Sequence, residues 1–307
     1  MSLQSALDFI RASRAEHGAG IREPTHPTPC LEQLLVKARH MGLGCSKSEL
    51  IEAHRIDWKM RAFRMQAGSA PEPGDEPGGP SATDRGEPAY RAAVQSLYDE
   101  DYARGYGQLW NMGWSRKNAD NLRCIEDLLT VEGRWMDLCC GGGWHLAQVH
   151  TPCEKAGIDL SEAQLDIARE HNPGATLIQG DVLEVPPAPE YDLVTCFWLS
   201  YGYLDDEALI ERFCRRMTGW LKQGGNLILE VADARAVHTW NESERGRATS
   251  FRVIPRNDDG SRWAFIDDGG IHRLTTPDYA FFDHVLGPRF ERHERRFRYN
   301  WCGMGRK

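Results

Sequence analysis

Three carboxylates and a glycine run are spaced so that a sheet could bring them to one edge. The apolar segment Arg134–Leu138 runs into Asp137-Leu138-Cys139-Cys140-Gly141-Gly142-Gly143, and a helical pattern follows. A tight glycine turn lets backbone approach a ligand closely, and the helix start behind it offers free N–H groups. Asp159 ends the next apolar segment, in GIDLS, eighteen positions after Gly141. An acid at that place can accept both hydroxyls of a ribose. Ser161 and Gln164 form a capping box directly after it, which predicts a helix start there. A third apolar segment ends in Gly180-Asp181. The chemistry these residues suggest is the holding of a nucleoside-like ligand. A dinucleotide site of the G-x-G-x-x-G kind would need glycine where Leu146 stands.

The elements that must position these residues are legible as alternating patterns. RWMDLC, EKAGIDL, ATLIQG, YDLVTCFWL and NLILEVA read as apolar strands separated by helical stretches. That alternation predicts a parallel, doubly wound α/β sheet, whose strand ends share one ligand-binding edge. FRVIPRNDDGSRWAFIDDGGIHRL carries two Asp/Gly-rich turns between short strands, which predicts an antiparallel insertion. A helix near Tyr279 to Leu286 and two strands, RFERHERRF and YNWCGMG, close the chain.

Ahead of this lies a different region. Residues 1–65 are helical in pattern: Leu3, Leu7 and Ile10 keep one helix face, and Leu31, Leu34, Leu35 and Ala38 mark a second helix. Gly42 and Gly44 stop the second helix, and Ser46 with Glu49 forms the capping box of a third. Residues 66–88 are dense in Pro and Gly without a bulky apolar residue, which predicts a linker before a domain at 89–307.

Composition excludes several classes. Hydrophobic residues make up 41% of the 307, enough for a core, and no apolar run is long enough to cross a bilayer. The N-terminus has no secretory pattern, and the nine cysteines form no CxxC pair. They are expected to be reduced thiols of a cytoplasmic protein. His26, Cys30 and Cys45 match no zinc spacing, so no metal is expected. The net charge of −8 argues against a broad nucleic-acid surface.

In order, the strand, acid, glycine turn, ribose acid and adenine-side acid resemble the class I S-adenosylmethionine-dependent methyltransferase family, over roughly Tyr98 to Lys307. The resemblance implies a seven-stranded, mostly parallel, Rossmann-like sheet and S-adenosyl-L-methionine as cofactor. It assigns the cofactor's amino-acid part to Asp137, Cys139, Gly141 and Gly143, ribose to Asp159 with Leu160, and adenine to Asp181 with Val182. Phe197, in the fourth-strand segment, joins this set. Cys139 departs from the family, which usually has glycine there, so a modest change in turn geometry is expected. The Asn/Asp-Pro-Pro-Tyr run of base methyltransferases is absent; Ser200-Tyr201-Gly202-Tyr203 stands in its place.

The acceptor side is drawn from residues that could move a proton or anchor a polar group. Tyr201, Tyr203, His238 and His272 are the catalytic candidates, with Asp233, Arg252 and Arg273 as further anchors. Tyr98, Tyr102, Tyr106, Trp110 and Trp114 recur every four positions. They make either a helix face packed on the sheet or a lid whose rings, Tyr102 and Trp110 among them, attract a sulfonium. The expected function is methylation of a small acceptor: an amine, thioether or hydroxyl, including amino acids and natural-product intermediates. The alternative is a peptide-docking or regulatory protein that uses the fold as scaffold, or that methylates a peptide. Residues 1–65 resemble the helical leader domain named after nitrogen-fixation gene clusters. That resemblance implies a docking or dimerising module, and hence a homodimer as one expected assembly.

Overall fold

The computed structural model describes residues 5–6, 31–46, 49, 90–91, 94–95, 98, 115–232, 237, 239–242, 253–267 and 270–307. The chain divides into two compact units. One takes Met1–Glu87 with 241–252 and 266–270, and the other Pro88–Trp240 with 253–265 and 271–307.

In the first unit, α1 (Leu31–His40) ends on Gly42, whose φ of +70° is left-handed. Leu43 N–H bonds back to the Ala38 carbonyl at 2.9 Å and Gly42 N–H to that of Arg39 at 3.0 Å. These paired bonds satisfy carbonyls the helix end would leave open. The expected capping box forms: Glu49 N–H donates to Ser46 Oγ at 3.2 Å, and Ser46 N–H to Glu49 Oε2 at 2.7 Å.

The second unit holds α2 (Ser115–Leu128), β1 (Arg134–Leu138), α3 (Trp144–Gln148), β2 (Glu154–Asp159), α4 (Glu162–His171), β3 (Thr176–Gln179) and β4 (Tyr191–Cys196). A 3₁₀ turn at Ser200–Leu204 leads to α5 (Glu207–Trp220) and β5 (Leu221–Glu230). Further on are β6 (Val253–Pro255), α6 (Tyr279–Leu286), β9 (Phe290–Arg296) and β10 (Asn300–Arg306). The strands β7 (Arg262–Asp267) and β8 (Gly270–Thr275) run across the unit boundaries.

The main sheet has seven strands in the order β3-β2-β1-β4-β5-β10-β9. The first five are parallel, and β10 lies antiparallel to both β5 and β9. A second sheet, β6-β7-β8, has the antiparallel pairing β6–β7. The expected seven-stranded α/β architecture and the antiparallel insertion are both present.

Burial explains why the strands read as continuous apolar runs. All six residues of β4 are buried, as a central strand covered on both faces requires. Alternate residues feed opposite cores. Met136, Leu138, Val194, Leu227 and Leu229 pack with α5 and α6, while Trp135, Leu193 and Ile228 pack with α2. Asp206 and Asp278 cap α5 and α6, accepting from the N–H groups of Leu209 and Phe281.

Candidate active site at the carboxyl edge of the sheet

The order reverses between β1 and β4, and the carboxyl ends of β1 and β2 deliver Asp137 and Asp159 beside that switch point. Asp137 is 2% exposed, and its Oδ1 accepts from Thr195 Oγ1 at 2.6 Å. Thr195 in turn accepts from Trp135 Nε1 at 2.9 Å, so a buried relay orients the carboxyl group. Burial pushes the Asp137 pKa up to about 7, against the Thr195 hydrogen bond that lowers it.

Asp159 is tied to the glycine turn itself. Its Oδ2 accepts from Gly141 N–H at 2.8 Å, and its Oδ1 from Ser161 N–H at 2.9 Å. Burial raises its pKa, opposed by these backbone bonds. Ser161 caps α4 by accepting from Gln164 N–H at 3.3 Å. The reciprocal arm of the expected capping box is replaced, because Ser161 N–H goes to Asp159. Buried Gln164 lies under the turn, and its Nε2 has no hydrogen-bond partner.

The turn is strongly left-handed: φ is +58° at Cys139, +52° at Gly141 and +70° at Gly143. Cys139 adopts this conformation at a cost of roughly 1–2 kcal/mol for a residue with a Cβ. A thiol–thiol hydrogen bond with Cys196, together with burial, raises its pKa well above the usual value. Gly143 has a packing reason as well. A Cβ there would stand 2.7 Å from Nδ2 of Asn172, the C-cap of α4, and 3.0 Å from the side chain of Ala168 within α4.

Asp181 is already engaged. Tyr90 Oη and Arg91 Nε both donate to its Oδ2, and Leu183 N–H donates to Oδ1 at 2.7 Å. Burial and this carboxylate push the Tyr90 phenol up to about 12. Val182 is buried in the core beside it. Leu160 directly follows Asp159 and contributes a backbone hydrogen bond to that carboxylate.

Two of the four catalytic candidates meet. Tyr203 Oη lies 2.6 Å from His272 Nδ1 and 2.9 Å from Tyr98 Oη. His272 is fully buried and stacks on Phe265, ring centroids 4.3 Å apart at 6°. The carbonyl of Tyr98 accepts from Ser161 Oγ at 2.8 Å. A continuous path of contacts therefore runs from Asp159 through Ser161, Tyr98 and Tyr203 to His272. Tyr201 instead sits in the core at 1% exposure, edge-on to Phe282, and burial lifts its phenol well above the usual range. Arg273 is exposed. His238, Tyr102, Trp110, Tyr106, Trp114, Asp233, Arg252, His26 and Cys30 lie outside the described residues, and Cys45 is buried.

A second polar cluster was not anticipated. Lys117 of α2 binds both carboxylate oxygens of Glu230, at 2.8 and 2.9 Å, and its ammonium lies 3.5 Å from the Trp198 ring centroid. Asn121 bridges Glu230 Oε2 at 3.4 Å to His145 Nε2 at 3.5 Å. His145 also packs on Phe197, centroids 4.3 Å apart. The signal for Glu230 was its place at the end of a strand; Lys117 and Asn121 had none. Burial, then the charge of Lys117, pulls the His145 pKa down to about 3. A histidine neutral in the fold and free to charge when unfolded makes stability fall in acid. Its contribution is present above about 6.5 and lost as the pH falls toward 3. Urea unfolding across that window should show a steeper loss for wild type than for His145→Phe; equal slopes would contradict the assignment.

Among the described residues, no cluster of His, Cys, Asp and Glu could hold a metal, and no helix is long and apolar enough to cross a membrane. The donor set fits S-adenosylmethionine instead. It offers a buried carboxyl for an ammonium, a carboxylate held at the turn for a ribose diol, and an orphaned buried amide under the turn.

The fold and this edge are similar to those of class I S-adenosylmethionine-dependent methyltransferases. Residues 136–225 match the family described as "Methyltransferase domain". Among curated relatives, the chain is 25% identical over 143 residues to a dTDP-4-amino-2,3,4,6-tetradeoxy-D-glucose N,N-dimethyltransferase of Saccharopolyspora spinosa, covering 45% of this chain and 57% of that one. It is 30% identical over 139 residues to a dTDP-3-amino-3,4,6-trideoxy-alpha-D-glucopyranose N,N-dimethyltransferase of Streptomyces venezuelae, covering 44% and 58%. The chain thus spans little more than half the length of these relatives. A crystal structure of a Pyrococcus horikoshii protein shares the fold, with TM-score 0.51 and 17% identity over 63% of this chain and 91% of that one.

Proposed function

We propose that this protein transfers a methyl group from S-adenosylmethionine to the amino group of a small amino sugar carried on a nucleotide. The observation that carries the reading is the set of residue contacts that links Asp159 through Ser161 and Tyr98 to the Tyr203–His272 pair. It sets a proton acceptor beside the cofactor edge. The amino-sugar N,N-dimethyltransferases among the relatives support the acceptor class.

S-adenosylmethionine brings an already activated methyl on a sulfonium, so the chain's own tasks are positioning and proton handling. Asp137 would hold the ammonium of the cofactor and Asp159 its ribose diol. An amine must present its lone pair, and the proton it sheds needs a base. His272 is fully buried, so protons reach it through half-buried Tyr203. The Tyr203 phenol takes the amine's proton as it passes its own to Nδ1 of His272. Tyr98, bonded to the same phenol, holds it in line.

Incubation with S-adenosylmethionine and a dTDP-linked amino sugar should add one and then two methyl masses to the amine. The matching hydroxy sugar should remain unmodified. Methyl on the hydroxy sugar alone would replace this reading with O-methylation. Tyr203→Phe should lower turnover by about 10²-fold, the lower range for a positioned general base, with cofactor affinity retained.

The remaining expectations follow the same reading. The acceptor is a small molecule rather than nucleic acid, and the protein works in the cytoplasm. Residues 1–65 act as a docking or dimerising module, joined by the linker at 66–88 to the methyltransferase domain at 89–307.

A further inference from the structure

Immediately after β4 the backbone does something costly. Trp198 and Leu199 are consecutive non-glycine residues with φ of +61° and +56°. Each left-handed residue of this kind is strained and persists only where its surroundings over-determine it. This pair of residues redirects the chain from the strand into the 3₁₀ turn Ser200–Leu204, which presents Tyr203 to His272.

The surroundings that hold it are visible. Trp198 N–H donates to Glu230 Oε2 at 3.1 Å. The Lys117 ammonium lies under the Trp198 ring at 3.5 Å while binding both oxygens of Glu230. Both side chains are over nine-tenths buried, at 9% and 6% exposure. Asn121 braces the same carboxylate and is itself fixed through its Oδ1 by Asn300 Nδ2 at 2.9 Å. A buried ion pair seldom adds net stability compared with an apolar pair of the same shape. Its place beside a strained turn points to a reason other than stability. We infer that Glu230, its charge paired by Lys117, is a positioning residue that clamps the strained Trp198–Leu199 turn and thereby aims Tyr203 at His272 and the acceptor. The inference rests on the proposed roles of Tyr203 and His272, but its clamp is testable without any acceptor.

The test compares Lys117→Met/Glu230→Leu, which removes the clamp, with Lys117→Met/Glu230→Gln, which keeps an oxygen for Trp198 N–H. The first readout is the side-chain nitrogen resonances of His272, identified by their loss in His272→Gln and their shift in Tyr203→Phe. The leucine pair should move these resonances toward the Tyr203→Phe position, and the glutamine pair should stay near wild type. S-adenosylmethionine affinity should stay within about threefold in both, a change under 1 kcal/mol. Turnover of whichever acceptor is found should fall at least about tenfold in the leucine pair and be largely rescued in the glutamine pair, as small misplacements cost about that much or more. If the leucine pair does not fold, Lys117→Met/Glu230→Met tests the same link, since methionine is closer in shape to glutamate and offers Trp198 N–H no oxygen. It too should shift the His272 resonances. Wild-type resonances in the folded leucine pair, or in the methionine pair if the leucine pair does not fold, would overturn the clamp. Failure of the wild-type protein to methylate any amine, with the shift present in the variant, would overturn the acceptor reading alone.

Discussion

Asp137→Asn should weaken S-adenosylmethionine binding by about 10- to 100-fold, the loss of one or two hydrogen bonds to a charged group at roughly 1.5–3 kcal/mol. The same substitution should stabilise the protein without cofactor, and this opposite sign makes the test specific. The folded-state pKa of Asp137 is raised from 3.8 to about 7 by burial. A carboxyl raised in this way contributes stability that is present below about 3.8 and lost as the pH rises through about 7. The rise from 3.8 to about 7 bounds the loss at roughly 4 kcal/mol. Asparagine has no charge to desolvate and keeps an oxygen for Thr195. Denaturant unfolding of the cofactor-free protein at pH 8 should place the variant above wild type, and at pH 4 the two should converge. Calorimetry on wild type should show cofactor affinity rising between pH 6 and 7.5 as Asp137 ionises. A variant that binds normally, or that is less stable at pH 8, would remove Asp137 from the ammonium site.

Asp159→Ala should lower affinity for both S-adenosylmethionine and S-adenosylhomocysteine by at least about tenfold, because both carry the ribose. The structure enlarges this expectation. Asp159 also accepts from Gly141 N–H, so alanine leaves the turn's own N–H without its partner. The loss should therefore exceed that of a substitution touching ribose alone. Asp159→Asn keeps one acceptor oxygen and should fall between. Calorimetric titration of a variant whose circular dichroism matches wild type is the measurement. Unchanged affinity for both ligands would show that Asp159 serves the turn and not the ribose.

Much of the cofactor edge was legible because its information is local. Asp137, the glycine turn, Asp159 and its capping serine follow one another along the chain, and strand polarity alone sends strand ends to one edge. The alternation of apolar runs and helical stretches likewise carried the sheet and the antiparallel insertion. The capping box at Ser46 and the N-cap at Ser161 were readable for the same reason, as their partners stand three residues away.

Other features had no such signature. Tyr201 and Tyr203 are two positions apart and looked equivalent, yet the 3₁₀ turn sends one into the core and the other to His272. Ser161 could be read as a cap, but not as the link to Tyr98, sixty-three positions upstream. Asp181 was readable as a strand-end acid, while its engagement by Tyr90 and Arg91 was not. Lys117 and Glu230 are 113 residues apart, in a helix and a strand with no shared period.

The sequence by itself determined which groups stand at the sheet's carboxyl edge, because that follows from short spacings and the direction of parallel strands. Only the tertiary structure decided which groups act together. Hydrogen bonds across 58 to 113 residues, from Thr195–Asp137 to Lys117–Glu230, depend on how α2, the turn after β4 and the antiparallel insertion pack, and packing leaves no pattern in the order of residues.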